Sequence, residues 1–187
     1  MLSFLQTPTP QALLFGKEAH PTSHELVADL AEAGVAVHVL DGVGMFNVFR
    51  IAEEARLSEF HVLHRIFVQR AFSPFQILDT IGEWIERHKE IEVKSRFYVF
   101  LNPSKQFFDG DVKQEDREYL LPILAKQFQT LRSLGFRFAI SESKQWDRPE
   151  YQKFFQSLQR EGVHYVLDCR KSLLPANEPM ADLFLAS

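Results

Sequence analysis

Phe97-Tyr98-Val99-Phe100-Leu101, followed by Asn102-Pro103, is the stretch on which the fold turns. Five apolar or aromatic residues run together without polar alternation, so this segment reads as a strand buried on both faces of a sheet. Upstream, Ser73-Pro74 opens a helix that carries Ile77, Ile81, Trp84 and Ile85 on one face. Before it stand a strand over His64 to Val68, a helical spacing from Phe46 to Arg56, and a β-branched strand from Val35 to Leu40 that ends in Asp41-Gly42. At the start, Ala12 to Phe15 is a short strand closed by Gly16, and a helical pattern runs from about Thr22 to Ala33 with Gly34 as its stop. Downstream, a polar loop from Asn102 to Asp116 leads into a helix reaching about Leu134, which Pro122 should kink or open. Phe136 to Ile140 and His164 to Leu167 are the last strands, separated by a helix around Pro149 to Arg160. Apolar strands interleaved with helices predict an α/β domain with a mostly parallel central sheet and helices on both faces.

Composition bounds the rest. The 187 residues are 45% hydrophobic and 25% charged, enough for one domain with a core. We expect a single domain over 1–187, with an extension at 1–10 and an irregular tail at 172–187 that carries Pro175 and Pro179. A formal charge of -4 offers no global attraction to nucleic acid or an anionic membrane. One cysteine, Cys169, cannot form an intramolecular disulfide, and no apolar run approaches the roughly 20 residues of a membrane span. Cytoplasmic residence is the expectation. The 18 phenylalanines are spread through strands and helices, which predicts a phenylalanine-rich core.

Three stretches resemble the RecA-like recombinases and ATPases: Val39-Leu-Asp-Gly-Val-Gly-Met-Phe46, Arg65-Ile-Phe-Val-Gln-Arg-Ala-Phe72 and Phe100-Leu-Asn-Pro-Ser-Lys-Gln-Phe-Phe-Asp109. They are similar to that family's strand ending in Asp before Gly and Phe, its Arg-Ala-Phe strand end, and its strand leading to a Phe-Phe-Asp loop. The likeness spans residues 11 to 170 and implies a RecA-like architecture, in which the first strand and helix are joined by a phosphate-binding loop.

That loop is where the chain departs. Gly-x-x-x-x-Gly-Lys-Ser/Thr lets glycine backbone amides reach the phosphates while lysine neutralises their charge. Here the interval reads Gly16-Lys-Glu-Ala-His-Pro-Thr-Ser-His24, so Pro21 and Thr22 stand at the later glycine and the lysine, and only Ser23 matches. Gly16, His20, Thr22 and Ser23 are therefore a vestigial nucleotide loop at most. Thr22-Ser-His-Glu25 also fits a capping box, with Glu25 reaching back to the first amide and competing with any phosphate. His20 and His24 read as solvated loop histidines.

The acids that the resemblance requires are altered as well. Two residues beyond Asp41, where the recombinases commonly carry the water-activating carboxylate, the chain has Val43, which cannot accept a proton. Asp41 itself reads as a turn cap before Gly42. At the end of the central strand, where an acid would hold the magnesium shell, stands Asn102. Asp109 and Asp111 follow too late and read as solvated loop charges, and Ser141-Glu-Ser143 is a loose match to the nucleotide sensor.

Other chemistry is thinner. The histidines and the lone cysteine have no metal-ligand spacing, and Cys169-Arg170 reads as a buried thiol. Lys105 with Phe107, and Lys144 with Trp146, each pair a cation with an aromatic after a strand, a pattern that touches phosphate and stacks a base. Neighbouring acids and the net charge weigh against DNA. The expected function is that of a non-catalytic scaffold or assembly partner, joining itself or another protein, with no cofactor and no metal. The alternatives are a divergent nucleotide-binding protein and an accessory that holds single-stranded DNA.

Overall fold

The computed structural model describes residues 10–54 and 60–169; the amino-terminal extension up to residue 9, the end of the helical spacing that reaches Arg56, and the tail from 170 lie outside the described residues. The described residues form an α/β sandwich around a six-stranded, all-parallel sheet. Its strands are β1 (Gln11–Phe15), β2 (Val37–Asp41), β3 (Ile66–Arg70), β4 (Phe97–Leu101), β5 (Arg137–Glu142) and β6 (Tyr165–Asp168), in the spatial order β3-β2-β4-β5-β1-β6. The helices are α1 (Ala19–Glu32), α2 (Val48–Glu54), α3 (Pro74–Glu86), α4 (Ile91–Ser95), α5 (Gln114–Ser133) and α6 (Pro149–Ser157).

β4 shows why the helices cover both faces. Phe97, Val99 and Leu101 pack with α1 residues such as Leu26, Val27 and Leu30, whereas Tyr98 and Phe100 pack with α3 and α5 through Ile77, Trp84 and Phe128. Successive side chains of a strand point to opposite faces, so an unbroken apolar run can be satisfied only by two apolar layers. The aromatic layer is dense: Phe100 meets Phe128 and Phe138 edge to face, with ring centres 4.9 and 5.9 Å apart.

Glycine sets two of the helix exits. After α1, Gly34 adopts φ +85°; its N–H donates to Ala31 O, and Val35 N–H donates to Leu30 O. After α5, Gly135 adopts φ +73° and the same pair of bonds runs from Gly135 to Arg132 and from Phe136 to Leu131. Both are Schellman closures, in which a left-handed residue caps the helix and aims the chain into the next strand. α3 begins as its sequence dictates, with Pro74 in its first turn and the Ser73 hydroxyl accepting from Gln76 N–H at 3.2 Å.

Several boundaries differ from the sequence expectation. α1 starts at Ala19, three residues before Thr22, because the chain turns within Gly16 to Glu18. β3 runs Ile66–Arg70, so His64 and Arg65 belong to a preceding 3-10 turn, Phe60–Arg65, which packs on α1. Pro122 is neither a helix start nor a stop. It sits in mid α5 and faces the groove against α6, where the loss of one amide is tolerated by a helix packed along its length. No helix among the described residues is long and apolar enough to cross a membrane.

Candidate functional site at the carboxyl rim of the sheet

In an open parallel sheet, ligands gather outside the carboxyl ends of the strands, where neighbouring strands send their connections to opposite faces. β2 leads into α2 on one face and its neighbour β4 leads towards α5 on the other, so the rim between them is such a point. All three stretches that resemble the recombinases end on this rim.

At β1 the rim is closed. Only Gly16, Lys17 and Glu18 separate β1 from α1, too few for an eight-position phosphate loop. The Glu18 N–H donates to Cys169 O at 3.2 Å and the Ala19 N–H to Gly16 O at 2.9 Å, while Pro21 has no N–H. Of the amides that a phosphate would need, those of Gly16, Glu18, Ala19 and Thr22 are spent and that of Pro21 is missing. Thr22 and Ser23 lie inside the helix: Thr22 N–H donates to Glu18 O, and the buried Ser23 hydroxyl donates to Ala19 O at 2.7 Å. This corrects the capping-box reading, because Glu18 occupies the cap position and makes no side-chain cap bond. It also corrects the vestigial-loop reading: of Gly16, His20, Thr22 and Ser23, only Gly16 is in a loop.

His24 is buried, contrary to its expected place in a polar loop. Its Nε2 accepts the Asn47 N–H at 3.1 Å, which makes Nδ1 the protonated nitrogen and aims it at His20 O, 2.9 Å away. The ring stacks on Phe46 at 5.2 Å and so ties α1 to the segment between β2 and α2. Burial, and then the neighbouring His24, hold the His20 imidazole below its usual pKa. Cys169 is likewise buried, and burial pushes its thiol up to about 11, which removes it as a nucleophile near neutral pH.

Asp41 organises the segment that follows β2. One carboxylate oxygen accepts from Val43 and Gly44 N–H and the other from Phe46 N–H, each within 3.0 Å, and Arg70 approaches to 3.8 Å. Gly42 lies against the neighbouring strand end: a Cβ there would meet Asn102 O at 2.9 Å and Leu101 O at 3.1 Å. Val43 puts an apolar side chain where the recombinase resemblance asks for a carboxylate.

Asn102 holds the end of β4 to the end of β5. It adopts φ +46°, a left-handed conformation that Asn tolerates better than most residues. Its N–H donates to Ser141 O at 2.7 Å, and its Oδ1 accepts from both the N–H and the hydroxyl of Ser143 at 2.7 Å. Beside it Glu142 is fully buried, with its carboxyl accepting from Ser104 N–H at 3.1 Å and Ser104 Oγ at 2.7 Å. Burial pushes this acid up to about 8, against a smaller opposing effect of the Ser104 bonds. In the sequence Glu142 reads only as part of a loose motif; its strand-terminal place after an apolar run is the signal that marks it.

Around these residues lies a cleft of about 170 Å³ that Val43, Asn102, Lys105, Glu142, Lys144 and Trp146 help to line. It brings together Lys105, Lys144 and Trp146, from two loops far apart in sequence. Lys144 Nζ sits 3.8 Å from the Trp146 ring centre. Phe107 is not in the group. It is buried in the core, and its neighbour Phe108 stacks on Trp146 at 4.9 Å and 17°. In the tight turn Lys105–Phe108, adjacent side chains point about a third of a turn apart, so only one of the two phenylalanines can face the rim. Asp109 and Asp111 are exposed beyond the turn. Among the described residues, no group of three or more His, Cys, Asp or Glu is placed to hold a metal.

No known protein family matches this chain, and no curated protein matches it in sequence. The resemblance to the RecA-like proteins therefore rests on the three stretches of sequence alone, because an all-parallel α/β sheet is common to many families.

Proposed function

We propose that this chain is a non-catalytic RecA-like domain that works as an assembly partner, pairing with a second copy of itself along the β3 edge. The observation that carries this reading is the character of that edge. Among the described residues β3 ends the sheet, and Phe67 and Val68, on its opposite faces, are each 41% exposed. Phe72 and Phe75, directly after the strand, are 70% and 61% exposed. Phe49 is also exposed, so the phenylalanines do not all serve the core. A sheet edge with unpaired backbone groups and apolar side chains is a template for another strand, and proteins that stay apart usually blunt such edges with charge. β3 itself carries only Arg70, which leans towards Asp41, and the guanidinium of Arg96, just before β4, lies 4.4 Å from the Phe67 ring centre.

The non-catalytic half of this reading is supported by the closed β1 rim together with Val43 and Asn102. Light scattering behind size exclusion tests the assembly: the expected mass exceeds the 21.7 kDa of one chain and falls to it in Phe67→Lys/Val68→Lys. A monomer at every concentration overturns the reading. MgATP is expected to be neither hydrolysed nor stabilising in a thermal melt; turnover lost on one substitution in Gly16 to Ser23 overturns the non-catalytic half.

A second reading, an accessory that holds single-stranded DNA, is favoured by the meeting of Lys105, Lys144 and Trp146 and weakened by the buried Phe107. Binding to a labelled single strand at low salt that fades as salt rises is its test.

A further inference from the structure

The cleft between the ends of β2, β4 and β5 has a donor that no described residue uses. Because Asn102 Oδ1 accepts two bonds from Ser143, the orientation of the amide is fixed, and Nδ2 is the edge left over. Among the described residues no acceptor takes Nδ2, yet it is not one of the buried side-chain atoms without a partner. The –NH₂ group therefore reaches the space that Asn102 lines. Lys105 and Lys144 line the same space, and both are exposed. The acid beside them, Glu142, directs both oxygens to Ser104. Trp146 and the exposed Met45 supply an apolar wall.

Three side chains that carry donors, Asn102, Lys105 and Lys144, line that space, and the one acidic side chain among the described lining residues is turned to a partner of its own. We propose that this cleft binds a small organic anion: the exposed Lys144 leaves the Trp146 face opposite Phe108 to join the Asn102 amide and Lys105 on the carboxylate or phosphate, and the flat apolar body takes its place against Trp146 and Met45. Size separates this ligand from a nucleotide. A space of about 170 Å³ equals the share of roughly five or six waters, at about 30 Å³ each, and falls short of the roughly 300 Å³ at which drug-sized pockets begin. This site is independent of assembly through β3, so either can fail alone.

The test titrates the full chain with benzoate, inorganic phosphate and ATP at constant ionic strength, following tryptophan fluorescence and calorimetry. Benzoate is expected to saturate and to bind more tightly than phosphate. The change in fluorescence should vanish in Trp146→Phe, since Trp84 is buried in the core. Lys105→Gln/Lys144→Gln alters two exposed side chains and should weaken benzoate by about tenfold or more. Asn102→Asp keeps an oxygen for Ser143 but replaces the free –NH₂ with an anionic oxygen, and should abolish binding; if that variant does not fold, the double lysine variant decides. No saturation with benzoate, equal affinity in the lysine variant, or a signal that survives Trp146→Phe overturns the site. Phosphate binding more tightly than benzoate overturns the apolar half of the ligand, and ATP binding more tightly than both overturns its small size.

Discussion

The carboxyl ends of β1 and β4 lie on one rim of one sheet, yet the first is closed and the second open. At β1 the chain turns into α1 within three residues, and the amides of Glu18 and Ala19 are taken by Cys169 and Gly16. At β4 the chain leaves through a left-handed Asn102 and a short 3-10 turn, which leaves an amide –NH₂ and two lysines facing a cleft. A strand end becomes a site when its donors are left over, and loses that role when the backbone itself consumes them.

The largest effect should come from the open side. Glu142 is held near 8 when folded against an ordinary value of 4.5, so between those values the folded state keeps a proton that the unfolded state has released. The contribution of Glu142 to stability therefore falls as pH rises across that window, by about 1.4 kcal/mol per unit at the steepest, while buried His38, held at about 4 against an ordinary 6.5, acts in the opposite direction between those two values, so the net fall is read between pH 6.5 and 8. Glu142→Gln can still accept from Ser104 N–H and can donate to the Ser104 hydroxyl, so its urea midpoint should not fall between pH 6.5 and 8 and should exceed the parent's at pH 8. A parent whose stability does not fall relative to Glu142→Gln between pH 6.5 and 8 would break the assignment. Gly42→Ala comes next: its Cβ would press on the Asn102 and Leu101 carbonyls, and a loss of about 3 kcal/mol in chemical denaturation is expected.

The closed side gives a smaller effect but separates backbone from side chain more sharply. Pro21→Gly/Thr22→Lys writes Gly16-Lys-Glu-Ala-His-Gly-Lys-Ser23, a complete phosphate-loop motif, into a segment that is helical from Ala19. The glycine should cost about 1 kcal/mol, and MgATP should give no thermal stabilisation. If MgATP does stabilise this variant, the closed rim is a property of two side chains and not of the backbone. Val43→Glu should change stability by less than ~0.5 kcal/mol, restore no ATP turnover and weaken benzoate, since the new carboxylate enters the lysine-lined cleft.

Much of the fold was legible in the sequence because its signals are local. Phe97 to Leu101 can only be a doubly covered strand, Ser73-Pro74 opens a helix by hydrogen bonding and fixed φ, and Gly34 ends one by tolerating a positive φ. The start of α1 was not legible. Thr22-Ser-His-Glu25 has the composition of a cap, but Glu18 N–H finds Cys169 O from the far end of the chain and Gly16 closes back on Ala19, so the helix begins earlier. Phe107 and Phe108 could not be told apart either, because which one is buried depends on the packing of α5 and α6 around their turn.

Sequence alone thus determined the alternation of strands and helices, the double covering of the sheet, and the absence of the lysine and acids that a RecA-like ATPase would need. Tertiary structure decided the rest: that Asn102 spends its oxygen on Ser143 and keeps its –NH₂ free, that Glu142 is buried beside it, and that Lys105, Lys144 and Trp146 share one cleft. The reason is range. Propensity and capping act within a few residues, whereas the partners that consume or spare a donor come from strands about 40 positions apart and meet only when the sheet assembles.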